Sequence, residues 1–328
     1  MNYKESKIAF TSLFNHEMND EKMREFLLSM TLDKNTSVES IAAAAEVMRE
    51  FAIPLPISEE LRLNALDIVG TGGDKIGSFN ISSTVSILSA ACGSTVAKHG
   101  SRSITSKSGS ADMFESLGVR LDLSIKNTAK LLDETGFTFM FAQNHHPAMK
   151  FIMPVRKSIS DKTIFNILGP LTNPAGAKKS LLGVFDKAFV PKMAEALKIN
   201  GASSSMVVSS AEGMDEISIS DVTYASQLRD GVVHEFIIDP EEYGIKKMPL
   251  KAIVGGDSRE NAQILLNIFD SNATDAQRDI VLINTACALM VDGLARDIQD
   301  GIEMAKEAIL NRRAQKKLRQ IIEISNKL

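Results

Sequence analysis

Apolar positions recur at three- and four-residue steps through the first part of the chain. Met23, Phe26, Leu27 and Met30 form one such set, and Ile41, Ala45, Met48 and Ala52 form another. This spacing collects side chains on one face of a helix, so it predicts helices over residues 1–64. Thr36 with Glu39 three residues on reads as a capping box opening the second helix, which Pro54 and Pro56 end. No strand-like alternation appears before Leu66. From Ala65 onward, short apolar runs (ALDIV, STVAKHG, FTFMFA, SLLGVF, SSMVVSS) alternate with helical patterns (STVSILSAACG, SADMFESLG, PKMAEALK). Such alternation predicts a mostly parallel sheet wrapped by helices. Near Ser226 the runs QLRDG and VVHEFII predict a hairpin turning at Asp230-Gly231, an antiparallel addition to that sheet. The last seventy or so residues read as helical, with Gly293 as a C-cap.

Length and charge narrow the classes. A chain of 328 residues predicts about two domains. With 41 Asp and Glu against 37 Lys and Arg, the net charge of −4 argues against a generally basic nucleic-acid binder. The basic stretch NRRAQKKLRQ reads as the solvated face of a terminal helix. Two cysteines, Cys92 and Cys287, lie among Ala, Leu and Ile, as buried free thiols of a reducing compartment would. No apolar run reaches the ~18 residues that a membrane span needs, and MNYKESKIAF lacks a signal-peptide core. The expectation is a cytoplasmic protein without membrane contact.

Four stretches carry candidate chemistry. In Asp67-Ile68-Val69-Gly70-Thr71-Gly72-Gly73-Asp74 a strand runs into three glycines, and Asn80-Ile81-Ser82-Ser83 then opens a helix. Glycines allow close approach of an anion to the backbone, and the free amides of a helix start bind phosphate. The spacing fits neither a dinucleotide fingerprint nor a P-loop, and an empty βα turn would read the same way. Lys98-His99-Gly100-Ser101-Arg102 ends another strand, and hydroxyls, Lys107 and Gly109 follow between Ser103 and Ser110. Cations and hydroxyls at the carboxyl end of a strand suit a polyanion. Met214-Asp215-Glu216-Ile217 sets two carboxylates together after a strand, as a Mg²⁺ site completed by substrate phosphates requires. Finally, Asn144-His145-His146-Pro147 precedes Arg156 and the segment Asn166–Pro174. Adjacent histidines diverge in direction and do not by themselves make a metal site, whereas Arg156 offers a bidentate fork for a carboxylate.

These motifs (GTGGD…FNISS, AKHGSRS…SKSGSADMFESLG, HHPAM…PVRK, TIFNILGPLTNPA and GMDEIS) resemble those of the anthranilate phosphoribosyltransferases, in the same order and over nearly the whole chain. The resemblance implies an enzyme joining anthranilate to 5-phosphoribosyl-1-pyrophosphate with Mg²⁺, and a homodimer formed through the helical domain. It implies a fold with a small all-helical N-terminal domain (1–64, joined by about 157–176) and a larger α/β domain (65–328) with a mostly parallel central sheet. The residues it assigns to phosphoribosyl pyrophosphate are Gly70, Gly73, Asp74, Ser78, Asn80, Ile81, Ser82, Ser83, Lys98, His99, Gly100, Ser101, Arg102, Ser103, Ser106 and Ser110. Gly70, Ser101 and Arg156 fall to anthranilate, and Ser82, Asp215 and Glu216 to Mg²⁺, with Lys98, Asp215 and Glu216 the catalytic set. The chain departs from the pattern at Ser101, where Asn is usual, at Ser83, where Thr is usual, and in LDKNTSVES. A nucleoside phosphorylase and a non-catalytic nucleic-acid-binding paralogue are the rival readings, and the intact GTGGD and Asp215-Glu216 oppose the second.

Overall fold

The computed structural model describes residues 1–33, 36–74, 76–102 and 107–328. Four helices come first: α1 (Tyr3–Phe14), α2 (Asp20–Ser29), α3 (Val38–Glu50) and α4 (Glu59–Asn64). The predicted cap of α3 is shifted by one residue. Ser37, in extended backbone, accepts from Ser40 N at 3.1 Å, while the Thr36 hydroxyl accepts from Asp33 N at 3.0 Å and closes the preceding turn. Of two neighbouring hydroxyls, only the one on the last extended residue reaches the first free amides.

The α/β part then alternates: β1 (Ala65–Gly70), α5 (Ile81–Cys92), β2 (Thr95–Gly100), α6 (Ser110–Ser116), α7 (Ile125–Thr135) and β3 (Phe137–Phe141). Three helices follow, α8 (Ala142–His145), α9 (Met149–Lys157) and α10 (Phe165–Leu168), and then β4 (Lys179–Gly183), α11 (Val190–Ile199) and β5 (Ser204–Ser210). The chain ends with the hairpin β6 (Thr223–Arg229) and β7 (Val232–Ile238), followed by α12 (Ser258–Phe269), α13 (Asp275–Asp292), α14 (Ile298–Leu310) and α15 (Arg313–Lys327).

The seven strands form one sheet in the order β3-β2-β1-β4-β5-β6-β7. The first five are parallel, and the hairpin adds two antiparallel strands at one edge. Its turn is the expected one: Asp230 (φ 52°) and Gly231 (φ 75°) both take the left-handed region. Gly293 likewise caps α13 with φ 89°.

Two large apolar clusters lie against the sheet, beside a smaller one around Leu55, Ala97, Leu132 and Met140. One holds α5, α12 to α15 and the sheet residues Leu66, Ile68, Leu181 and Met206. The other joins α1 to α3 with Ile152, Val155, Ile164, Phe165, Ile167 and Leu171, and continues onto Leu182, Val184 and α11. Ala148 and Met149, at the start of α9, also pack against this second cluster. Among the described residues no helix is long and apolar enough to cross a membrane.

Candidate active site

Strand order reverses between β1 and β4: successive strands after β1 run one way, and β4 and β5 run the other. Crevices form outside the carboxyl ends of strands at such a switch point. Gly70, Gly100 and Gly183 end β1, β2 and β4 there. Two of them make room for one residue. A Cβ at Gly70 would sit 2.2 Å from Asp215 Oδ2, and one at Gly183 would sit 1.6 Å from the Asp215 carbonyl oxygen.

Asp215 and Glu216 follow β5 after a turn at Gly213 (φ 83°). Met214 and Ile217 on either side are completely buried, and the Asn284 side chain both accepts from Ile217 N (2.9 Å) and donates to Ile217 O (2.8 Å). With both flanks anchored in the core, the two carboxylates emerge into the crevice. Asp215 Oδ2 accepts from Gly72 N in the glycine loop at 2.7 Å. Glu216 Oε1 accepts from Ser82 N, in the first turn of α5, at 3.0 Å. These amides are thus anion-binding donors already aimed at carboxylate oxygens. Burial raises both carboxyl pKa values above the usual range, and neighbouring charge adds to it: Asp74 acts on Asp215, and Asp215 acts on Glu216. Crowded, desolvated carboxylates of this kind fit a hard divalent cation. Among the described residues no group of three His, Cys, Asp or Glu side chains forms a complete metal cage, which matches an ion that takes its remaining oxygens from phosphates and water.

Lys98 on β2 is buried at 1% exposure and donates to Ile68 O and to Ser82 Oγ (3.3 Å). Burial pushes its ammonium below the ordinary lysine range, opposed first by Asp67 and then by Glu216 and Asp215. Asp67 is also buried, is pushed up to about 6 by that burial, and accepts from His99 N at 3.1 Å. His99 and His146 lie against each other with ring centroids 5.2 Å apart and planes tilted by 50°. Burial first, then neighbouring imidazoles, lower them to about 3 and about 4, so both rings are neutral at pH 7. Arg156, on α9, is half-buried above the Phe165 ring (5.9 Å), and its guanidinium donates to Met153 Sδ at 3.9 Å. It has no ion-pair partner among the described residues, and desolvation lowers its pKa. A desolvated, unpaired guanidinium is costly, and a carboxylate ligand relieves that cost.

The family model for the "Glycosyl transferase family, a/b domain" matches residues 62–315. Anthranilate phosphoribosyltransferase from Methanobrevibacter smithii is 43% identical over 99% of this chain and 96% of its own length. The enzyme of that name from Laribacter hongkongensis is 45% identical over 90% of this chain and 85% of its own. This chain belongs to the anthranilate phosphoribosyltransferase family. Among solved structures, the Thermus thermophilus member superposes with a TM-score of 0.90 at 33% identity, covering 99% of this chain and 96% of that one. The Saccharomyces cerevisiae member, in complex with phosphoribosyl pyrophosphate and Mg, gives 0.85 at 26% identity over 98% and 92%.

Within this anthranilate phosphoribosyltransferase fold, several expected site residues are engaged by the protein itself. Ile81 and Ser83 are buried at 1% and 0% on α5, Ile81 within the larger apolar cluster. Arg102 is drawn to α6, where Asp112 and Glu115, three residues apart, grip its guanidinium at 3.0 and 2.6 Å. Two carboxylates thus engage the fork that a phosphate would otherwise use. Ser101 is exposed, and its hydroxyl donates to Arg102 O at 3.1 Å. Ser78 forms a bridge to Val254, and Asn80 Oδ1 accepts from Ser108 Oγ (3.0 Å) and Asn261 Nδ2 (2.8 Å), fixing the start of α5. Ser110 is the first residue of α6. Ser103 and Ser106 lie outside the described residues.

The structure also brings in residues that sequence reasoning passed over. Lys162, between α9 and α10, donates to Gly73 O at 3.3 Å and lies 3.2 Å above the Phe185 ring, tying the returning helical segment to the glycine loop. Nothing local in SISDKTIF marks it. Gly183, in SLLGVF, reads as an ordinary strand end until the Asp215 backbone is seen against it.

Proposed function

We propose that this protein transfers the phosphoribosyl group of 5-phosphoribosyl-1-pyrophosphate to the amine of anthranilate, releasing pyrophosphate, as a Mg²⁺-dependent glycosyltransferase of tryptophan biosynthesis. The observation carrying this reading is the meeting of Asp215 and Glu216 with the amides of Gly72 and Ser82, beside buried Lys98. It places an anion cradle and a hard-cation pair in one crevice.

In this reading Asp215, Glu216 and the Ser82 hydroxyl hold the cation, whose charge, when bound, neutralises the departing pyrophosphate. Gly70 and Gly73 keep the loop backbone open to phosphate, with Asp74 at its end. Asn80 holds α5 so that its first amides point into the crevice. Lys98, kept charged by Asp67, supplies fixed positive potential where the leaving group gathers negative charge. Anthranilate's amine is uncharged at neutral pH and needs no strong base, and the neutral His99–His146 pair suits an aromatic wall. Arg156 receives the substrate carboxylate. Catalysis then rests on positioning and electrostatics. Anthranilate fluorescence, followed while the protein, phosphoribosyl pyrophosphate and Mg²⁺ are omitted in turn, tests the reaction. Decay only in the complete mixture supports it, and phosphate-dependent nucleoside cleavage instead would replace it.

Two substitutions separate the subsites. Arg156→Ala is expected to raise the anthranilate KM at least tenfold and leave the phosphoribosyl pyrophosphate KM within about twofold. Arg156→Lys should restore only part of the loss, since an ammonium lacks the bidentate fork. The opposite split would move Arg156 to the other substrate. Ser101→Asn is expected to change the anthranilate KM by less than about tenfold, or ~1.4 kcal/mol. A serine hydroxyl can act through water nearly as well as an amide acts directly. A larger change would show that Ser101 sets anthranilate affinity directly.

A homodimer through the helical layer and a cytoplasmic setting belong to the same proposal. Ile8 on α1 is 63% exposed, as an interface residue would be in a lone chain. Cys92 and Cys287 are free thiols, which suits a reducing compartment.

A further inference from the structure

We propose that a cavity beneath β1 and β4, at the end of the strands away from the crevice, is a second anion site that takes a small oxyanion such as inorganic phosphate. The cavity has a volume of about 70 Å³. That is room for several waters, each needing roughly 10–15 Å³ of such space, or for one small tetrahedral oxyanion. Its wall includes Arg49, Asp67, Asn173, Lys178, Ser180 and Asn200. Asp67 stands three residues before Gly70 on β1, so the cavity is roughly 10 Å along the strand from the crevice.

Two cations face this space with no ion-pair partner among the described residues, and Glu46 and Glu50 act on Arg49 only through longer-range charge. Arg49 is half-buried and donates through Nη1 to Leu171 O at 2.8 Å, leaving the rest of its fork without a hydrogen-bond partner among the described residues. The carboxylate one turn before it, Glu46, is held instead by Lys7 (2.9 Å) and the Tyr3 hydroxyl (2.5 Å). Lys178 is half-buried and has no ion pair among the described residues. Burial lowers its ammonium, and the charges of Arg49 and Arg62 add to that. Lys179, on the same wall, is satisfied by Asp292 at 2.8 Å, which leaves Lys178 and Arg49 as the cations available to a ligand. Asn200 aligns a third donor: its Nδ2 is buried and unpartnered. Asp67 is the one carboxylate of the wall, with one oxygen engaged by His99 N and its charge met from the other side by Lys98.

Like charges held partly out of water, with an unpaired amide donor beside them, are costly unless an anion joins them. A bound oxyanion would accept from the Arg49 fork, the Lys178 ammonium and Asn200 Nδ2. The loop from Pro170 to Ala177, part of the same wall, leads from the helical layer into β4. Occupancy would therefore stiffen that connection.

Inorganic phosphate is titrated calorimetrically into the full-length protein, with and without saturating Mg²⁺ and phosphoribosyl pyrophosphate, and chloride of equal ionic strength serves as the control. One saturable phosphate per chain is expected to persist when the crevice is filled. Lys178→Gln should weaken it at least tenfold, and Lys178→Arg should keep it within about threefold. In phosphate-free buffer both variants should retain wild-type turnover and thermal midpoint. The proposal is overturned if no saturable phosphate remains once the crevice is filled, if Lys178→Gln binds as the wild type does, or if chloride reproduces the effect.

Discussion

The double variant Asp215→Asn, Glu216→Gln is expected to lose turnover by at least a hundredfold while remaining folded. The metal is asked to supply several kcal/mol of leaving-group stabilisation, and ~2.7 kcal/mol already corresponds to about a hundredfold. Asn and Gln keep an oxygen to accept from Gly72 N and Ser82 N, so the two hydrogen bonds that fix the glycine loop and α5 against this turn survive the change. They also remove two crowded buried charges that repel each other and Asp74. The thermal midpoint of the variant, measured without added Mg²⁺, should equal or exceed that of the wild type. Near-wild-type turnover across a Mg²⁺ titration would show that these carboxylates do not hold the cation. A variant that lost its fold would show them to be structural, with single Asp215→Asn and Glu216→Gln then apportioning the roles.

Gly183→Ala is the second large effect, and it reaches the same turn through the backbone. The new methyl would stand 1.6 Å from the Asp215 carbonyl oxygen and 2.4 Å from its carbonyl carbon. β4 cannot step aside, because Gly183 is paired on one side with Gly70 and on the other with Val208, and Gly183 O accepts from Thr71 N at 3.0 Å. The turn carrying Asp215 must move, which takes the carboxylates away from Gly72 and Ser82. Overpacking of this kind costs about 3 kcal/mol, a fall in midpoint of roughly 4 °C for a chain this size, and activity should drop with it by more than a hundredfold. Gly169→Ala is the matched control: no atom lies within 4 Å of where its methyl would stand and its backbone is helical, so its midpoint should move little. Equal stability of the two variants would mean that the contact at Gly183 is relieved without cost.

Much of this architecture is legible along the chain because its signals are local. Alternating apolar runs and helical periods mark β1 to β5 and their helices, since burial on a sheet face or helix face repeats every two or about four residues. Asp230-Gly231 marks the hairpin and Gly293 the end of α13 because only certain residues tolerate positive φ. The glycine loop, Lys98 and the Asp215-Glu216 pair are legible for the same reason: each is a short run with its own backbone or charge signature. Thr36 and Ser37 show the limit of such signals. Both can cap, and the choice depends on which one sits in extended backbone at the turn from residue 33 onward.

What belongs to the tertiary structure alone is which of these runs meet. Gly72 and Asp215 are 143 residues apart, and Ser82 and Glu216 are 134 apart. They become neighbours only because β1 and β4 pair and the order of strands reverses there. Lys162 reaches Gly73 across 89 residues, and Arg49 and Lys178 face one cavity from separate layers. The same closure buries the side chains of Ile81 and Ser83 and gives Arg102 to Asp112 and Glu115. Chain sequence alone determined the elements, the turns and the kinds of chemistry each run carries, because backbone preference and amphipathic period act over a few residues. Partners across the crevice, the burial that shifts each charge and the cationic cavity were decided by the fold, because hydrogen bonds, Coulomb forces and desolvation act through space and arise only once distant segments are packed together.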